Sequence, residues 1–418
     1  MELDLNQKEE YKETELGLLP KDWEVVRLGD VGNIITGNTP SKKVKEYWEH
    51  GELDFIKPPD LQNRVISTFS EKISNKAIDK ARTVKEGSIL VSCIGIIGRV
   101  GFASHRVAFN QQINAIEPNN NIYPWFLFYT LQTQQRQIEN LASYTTVPIV
   151  SKAKFIDVKI PFPPLSEQKK IASVLSAVQE AKEKTEDVIK ATKDLKKSMM
   201  KYLFTYGPVS LEEAEKVPLK ETEIGLIPEE WDVVRLEDVV EIHDKKRIPL
   251  NSTERSKMKG NYPYCGANGI IDYVNDYIFD GEFVLLAEDG GFWRKFENSA
   301  YLMKGKFWVN NHAHIIRAIE SNSVNRFLLY WLIFDDIEKY TSGTTRKKLN
   351  QNVMKNILIP LPPLPIQQKI ASILSAIDQK IEAEENKKKA LEDLFKSLLH
   401  NLMTAKIRVN NLEKILDE

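Results

Sequence analysis

Between Ile160 and Tyr206, Ile171, Val178, Thr185, Thr192 and Met199 recur every seven residues, interleaved with Val174, Ala181, Val188, Leu195 and Tyr202. That spacing predicts a helix with one buried stripe, a coiled-coil seam. A second stretch sets Ile370, Ile377, Leu391 and Leu398 against Leu374, Ile381, Phe395 and Leu402, and Glu384 and Lys388 interrupt its middle. Each stretch opens on a proline cluster and then runs without Gly or Pro, to Tyr206 in the first case and past Lys406 in the second. Two long helices with abrupt starts follow. At 1.5 Å per residue, about 40 residues make a rod of roughly 60 Å.

The proline-led starts are also where the chain repeats itself. Residues 160–180, IPFPPLSEQKKIASVLSAVQE, return 199 positions later as IPLPPLPIQQKIASILSAIDQ, with 13 of 21 positions identical. ETELGLLPKDWEVVRLGDV at 13–31 returns 208 positions later as ETEIGLIPEEWDVVRLEDV at 221–239, with 13 of 19 identical. A period near 200 is too long for a solenoid, so a domain-plus-helix unit has been duplicated. Trp23 and Trp231, with Pro20 and Pro228, recur at matching places. Either a symmetric partner meets the same surface twice, or the tryptophans anchor the short repeat to its module.

Between the repeats the modules differ, yet Phe109-Asn110-Gln111-Gln112-Ile113 parallels Val309-Asn310-Asn311-His312-Ala313, and Trp125 to Tyr129 parallels Arg326 to Tyr330. Strand-like runs such as SILVSCIG and EFVLLAED alternate with helix-like ones such as YPWFLFYTLQTQQRQIENL, which predicts mixed α/β modules sharing one fold. The expected boundaries are 1–159 for the first domain, 160–205 for its helix, 206–220 for a linker, 221–358 for the second domain, 359–406 for its helix and 407–418 for a tail. If the two helices ran parallel, the chain would have to return about 60 Å through a linker that reaches only about 50 Å. Antiparallel helices, and a pseudo-twofold relation between the halves, are therefore expected, with residue 174 near 398 rather than 373.

Composition narrows the class. At 418 residues, 42% apolar and 28% charged, the chain is that of a multidomain soluble protein. Cys93 and Cys265 do not correspond between the halves, so no disulfide framework is implied, and with no long apolar run or signal peptide a cytoplasmic location is expected. Residues 32–159 carry 16 Lys/Arg against 11 Asp/Glu, and 240–358 carry 17 against 14, whereas the remainder is net acidic. Two mildly basic modules sit on an acidic frame.

The motifs PFPPLSEQKKIASVLSA, PLPPLPIQQKIASILSA, LGLLPKDWEVVRLGDV and IGLIPEEWDVVRLEDV closely resemble the specificity subunits of type I restriction-modification systems, and the likeness covers nearly the whole chain. The resemblance implies an α+β architecture: two mixed α/β target-recognition domains joined by two long antiparallel coiled-coil helices in an internal pseudo-twofold duplication. It further implies a non-catalytic subunit in which each domain reads half of a bipartite double-stranded DNA site. The helices would set the spacing and dock two methyltransferase (modification) subunits, and restriction subunits would join them. S-adenosylmethionine, ATP and Mg are expected on those partners, with no cofactor, metal or membrane contact in this chain. Pro365-Ile366 stands where the first copy has Ser166-Glu167, so a contact made by that Glu has no counterpart in the second half.

Candidates for phosphate contact are Lys42, Lys43, Lys45, Arg64 and Arg99 in the first module, and Lys245, Lys246, Arg247, Arg294, Lys295, Arg346, Lys347 and Lys348 in the second. Gln111, Gln112, Asn311 and His312 suit base edges, since amides pair with adenine. The competing reading is that they satisfy backbone groups in a shared fold element. Tyr47-Trp48 and Trp293 either stack on a ligand or belong to the core. No phosphate-binding loop occurs, Gly95 to Gly101 has GxxGxxG spacing, Lys57-Pro58-Pro59-Asp60 lacks the residues of an adenine-methylation motif, and His312-x-His314 has no completing ligands. Two readings remain: a DNA-recognition subunit, or a scaffold holding two protein partners at a fixed distance. With half-sites on one face of the duplex about 10.5 base pairs apart, roughly six unread pairs would separate two four-pair words.

Overall fold

In each half the proline-led motif begins as a strand before it becomes a helix. Lys159–Phe162 pairs antiparallel with Glu24–Arg27, and Leu358–Leu361 pairs likewise with Asp232–Arg235. The two repeated sequences are thus partners of one another in both copies. The structure, a computed structural model, describes residues 10–409 except 68, 145, 345 and 346. Among these, four helices reach ten residues: α1 (Pro124–Thr133), α2 (Leu165–Tyr206), α3 (Asn325–Phe334) and α4 (Leu364–Met403). None is apolar enough over a sufficient length to cross a membrane.

The chain forms two compact units, one built from the described residues up to Lys184 together with those from Lys388 onward, the other from Thr185–Lys387. In the first unit a five-stranded sheet runs in the order Gly32–Thr36, Ile113–Pro118, Ile89–Ser92, Val100–Phe102, Arg64–Val65, and a four-stranded sheet is centred on Leu53–Ile56 and Val107–Phe109. In the second unit a six-stranded sheet begins with the same order: Val240–Ile242, Ala313–Ala318, Phe279–Ala287, Ala300–Val309, Lys259–Gly266, and then Gly269–Val274. Both edges opposite the first strand include a parallel pairing, Gly101 to Arg64 and Tyr264 to Trp308.

Helix direction follows from what each unit buries. The core of the first unit combines Ile171 and Leu175 from the start of α2 with Leu402 and Met403 from the end of α4, and Val174, Phe395 and Leu398 pack against it. The core of the second combines Met200, Leu203 and Phe204 from the end of α2 with Ile370 and Leu374 from the start of α4, and Ile373 packs there. Residue 174 shares a core with 398 and not with 373, so within each unit the helices run antiparallel.

The seam of α2 lies one position away from the expected one. Alongside Ile171, the inward residues are Leu175, Thr185, Ile189, Met200 and Leu203, whereas Val188 is 40% and Leu195 52% exposed; Val174, Val178 and Met199 are half-buried. On α4, Ile370, Leu374 and Ile381 are buried, and Ile377, Leu391, Phe395 and Leu398 are half-buried. The displaced series on α2 includes Lys182 and Lys196, which made it look less apolar than it is. Lys182 places its ammonium 5.7 Å from the Phe395 ring centroid. Lys196 lies 5.2 Å from the Tyr330 ring and 2.6 Å from Asp378. Their aliphatic stems fill the seam while their heads find an aromatic face or a carboxylate.

The repeated glutamine explains the persistence of the proline-led motif. Gln168 accepts from the amide of Tyr123 at 2.8 Å and donates to the carbonyl of Pro163 at 2.9 Å. Gln367 accepts from the amide of Val324 at 3.1 Å and donates to Pro362 and Asn322, each at 2.9 Å. Both side chains are fully buried. Each therefore brackets the start of a long helix to the start of the short helix, α1 or α3, that backs its sheet. Trp23 and Trp231 are buried in their unit cores, which is the anchoring reading of the two. Cys93 and Cys265 are unpaired, and burial pushes both thiols up to about 12.

Candidate nucleic-acid interface

The shared Asn of the two modules is a backbone bracket. Asn110 Oδ1 accepts from the amide of Gln112 at 3.1 Å, and Asn310 Oδ1 accepts from the amide of His312 at 2.8 Å. Both asparagines are buried. In the first unit the Cys93 amide donates to the Gln112 carbonyl and the Cys93 carbonyl accepts from Val150; in the second, Glu288 does the same with His312 and Leu349. One frame of turn, neighbouring loop and strap thus occurs twice. Gly95 and Gly290, with φ of +78° and +65°, turn the neighbouring loop at matching places.

On that frame the displayed side chains differ. Gln111 Oε1 accepts from Thr39 Oγ1 at 2.6 Å, and Gln112 Oε1 accepts from Asn110 Nδ2 at 2.9 Å. Asn311 is exposed, and its carbonyl faces the Arg247 guanidinium at 3.5 Å. His312 Nδ1 lies 2.6 Å from Asp289 Oδ1. His312 and Asp289 line an open cavity of about 520 Å³ with Asn268, Gly269, Ile270 and Gly290. The backbone-satisfying role therefore falls to Asn110 and Asn310, while Gln111 and Asn311 are exposed and Gln112 and His312 half-buried.

Most of the basic candidates fall into two groups. Among the described residues, Lys43, Lys45, Lys245 and Lys246 are exposed with no carboxylate in ion-pairing range, and they occupy the same place in both units, just after the first strand of the larger sheet. A second group is held by carboxylates. Lys42 meets Glu71 at 2.5 Å and stacks over Trp48 at 3.4 Å, Lys348 meets Glu288 at 3.0 Å, Arg294 meets Glu338 at 3.1 Å, and Lys347 pairs with the same Glu338. Burial pushes the Glu71 carboxyl up, but hydrogen bonds from Lys42 and Lys57 outweigh it and hold it below its ordinary value. The remaining three differ from one another. Arg99 is half-buried and its amide donates to Ser92 Oγ at 3.0 Å. Arg64 lines a groove with Trp125 and Tyr129 against α2. Lys295 sits 4.1 Å from the Phe334 ring, and burial lowers its pKa. Arg346 lies outside the described residues. Of the aromatic candidates, Trp293 is buried, and Trp48 packs edge-on to Phe55 at 5.1 Å.

Arg247 is half-buried and paired inside the protein. Its guanidinium donates to Glu288 Oε2 at 2.5 Å and to the Ala313 carbonyl at 2.9 Å, and lies 3.6 Å from Asp244 Oδ2. Asp244 in turn accepts from the Ile315 amide and from Gln351, both at 2.8 Å, and faces His314 Nδ1 at 2.6 Å. The acceptors Asp244 and the Leu349 carbonyl, 2.8 Å from Nε2, sit at the two ring nitrogens of buried His314. Burial drives the Asp244 carboxyl up, yet the hydrogen bond and charge of His314 hold it below its ordinary value; for Glu288 the hydrogen bonds of Arg247 and Lys348 do the same. Ligand atoms of Asp244, Glu288 and His314 converge within 4.8 Å, but the guanidinium already supplies the positive charge that a metal would bring. Of this network the sequence pointed to Arg247 and Lys348 as cations and to His314 as a metal ligand lacking partners. The visible signal was an Asp immediately before Lys245-Lys246-Arg247.

The model of the type I restriction modification DNA specificity domain matches residues 20–191 and again 228–393. The MjaVIII type I restriction enzyme specificity subunit of Methanocaldococcus jannaschii is 30% identical, covering 97% of each chain. The EcoprrI specificity subunit of Escherichia coli is 24% identical over 85% of this chain and 87% of its own. The crystal structure of a type I S subunit from M. genitalium superposes with a TM-score of 0.64 at 18% identity, over 91% of this chain and 96% of that one.

Proposed function

The chain belongs to the DNA specificity family of type I restriction-modification systems, and from that premise we propose that each unit reads one half of a bipartite duplex site through its Asn-bracketed turn. The observation that carries this is the doubled frame with different side chains, Gln111 and Gln112 against Asn311 and His312, beside unpaired Lys43, Lys45, Lys245 and Lys246. Unpaired lysines contact phosphates and fix register without reading sequence, whereas amide and imidazole groups pair with base edges. Catalysis belongs elsewhere: this chain recognises, and modification subunits bind S-adenosylmethionine and methylate adenine. Restriction subunits, supplied with ATP and Mg, cut. The duplication supports two modification subunits for each chain, and the assembly works in the cytoplasm.

α2 and α4 are unbroken over 42 and 40 residues, which supports their setting the unread gap between the half-sites. Mapping modified adenines in the host genome with and without the gene tests the reading. The expected result is loss of one two-part motif; an unchanged methylation pattern contradicts it. Inserting seven residues, two helical turns, into both α2 and α4 should change the gap and leave both words intact.

A further inference from the structure

The two bracketed turns orient their side chains by different means. In the first unit Gln112 Oε1 accepts from Asn110 Nδ2 at 2.9 Å, so the asparagine that brackets the turn also aims the amide that follows it. A histidine at the matching place needs an orienting group from elsewhere, and in the second unit His312 Nδ1 lies 2.6 Å from Asp289 Oδ1. Asp289 follows Glu288 as Ile94 follows the matching Cys93, and both positions bridge to the strap, Ile94 to Ile149 and Asp289 to Lys348. An isoleucine has no polar atom with which to orient a ring; the aspartate does. The backbone on both sides of the pair is tied down. The His312 amide donates to Asn310 Oδ1 at 2.8 Å and its carbonyl accepts from Glu288 at 2.9 Å, while the Gly290 carbonyl, next to Asp289, accepts from Asn268 Nδ2 at 2.9 Å.

We infer that Asp289 is a positioning residue for base readout: it keeps the His312 hydrogen on Nδ1 and leaves Nε2 as an acceptor for the exocyclic amino group of an adenine or cytosine in the second half-site. This rests on the turn-based reading above and names the chemistry that the turn reads. A neutral imidazole donates from one nitrogen and accepts at the other, and a carboxylate only accepts, so the pairing at Nδ1 decides what Nε2 presents. In the major groove the amino groups of adenine and cytosine are the donors, whereas guanine and thymine present acceptors there. A carboxylate this close repels phosphate, so the ring faces base edges and not the DNA backbone. The cavity that the pair lines, with Ile270 and Gly290 among its walls, is open and admits a base edge.

The test is binding of synthetic duplexes at pH 8 by the full chain assembled with its modification subunits. His312→Ala identifies the base pair concerned, as the one whose identity ceases to matter. Removing the amino group of that pair, with purine in place of adenine or pyrimidin-2-one in place of cytosine, should weaken wild-type binding about tenfold more than it weakens binding by His312→Ala. Asp289→Asn, whose amide donates as well as accepts, should lose most of that difference at this pair and at no other, a pattern that a merely structural role would not give. Nitrogen-15 NMR of the histidine-labelled wild type should place the His312 hydrogen on Nδ1. A hydrogen on Nε2, equal losses in wild type and His312→Ala, or an Asp289→Asn chain that keeps the full difference overturns the inference and leaves the reading by the turns standing. A His312→Ala chain that relaxes no position of either word overturns both.

Discussion

The two units solve one problem with different means. In the second, Thr185–Lys387 is a continuous stretch, and the chain leaving α2 is carried by residues 207–218 straight into the next hairpin. In the first, the hairpin and the end of α4 come from opposite ends of the sequence and must be tied without a covalent link. Arg408 makes that tie: it donates to Glu167 Oε1 at 2.8 Å and to Asp22 Oδ2 at 2.8 Å. Glu167 also accepts from Trp23 Nε1 at 2.9 Å, and Tyr11 donates to the Ala405 carbonyl at 2.7 Å. The residue matching Glu167 in the other unit is Ile366, packed on an apolar core, and the one matching Arg408 is Val209. Where peptide bonds already close the unit, Ile366 packs on the apolar core; where the chain is open, a half-buried arginine bridges two carboxylates.

That contrast is sharpened most by breaking what the units share. Gln168→Ala and Gln367→Ala each leave a buried amide and carbonyls unsatisfied, so each should cost about 3 kcal/mol in denaturant unfolding. Equal losses are expected, because both brackets have the same partners. Arg408→Ala should cost about 2 kcal/mol, seen in the first unit only, because it strands Glu167 beside Trp23. Importing the other unit's pair, Glu167→Ile with Arg408→Val, should recover part of that loss. Additive losses in the double variant would show that the two residues act independently.

Acid should loosen the buried carboxylate network of the second unit. Asp244 and Glu288 have folded-state pKa values below their ordinary ones. Their contribution is therefore complete above the unfolded value of about 4 and is lost as pH falls through the folded values. Hydrogen exchange of Ala313–Ala318 should accelerate below about pH 4, and Asp244→Asn should flatten that dependence. The smallest effect tests the seam: Ile189→Ala should cost about 2 kcal/mol and Val188→Ala less than about 0.5.

What the sequence made legible follows from the range of the forces involved. Proline stops and heptads are local and placed both helices, and the short reach of the linker fixed their antiparallel course. The seam of α2 was misplaced because lysine stems count as polar in a pattern yet pack as apolar in a structure. The site was half legible. Asn110 and Asn310 were recognisable as a shared element, but which cations remain unpaired depends on carboxylates distant in sequence, such as Glu71 for Lys42 and Glu338 for Arg294 and Lys347. The internal pairing of Arg247 was hidden for the same reason: its partner Glu288 is 41 positions away.

The most direct test of the central claim is to recover the duplexes that the full chain, assembled with its modification subunits, selects from a random library. The account predicts two short words separated by a constant unread gap, with Gln111→Ala and Gln112→Ala relaxing one word and His312→Ala only the other. A single contiguous word, or one word altered by variants in both units, would contradict it.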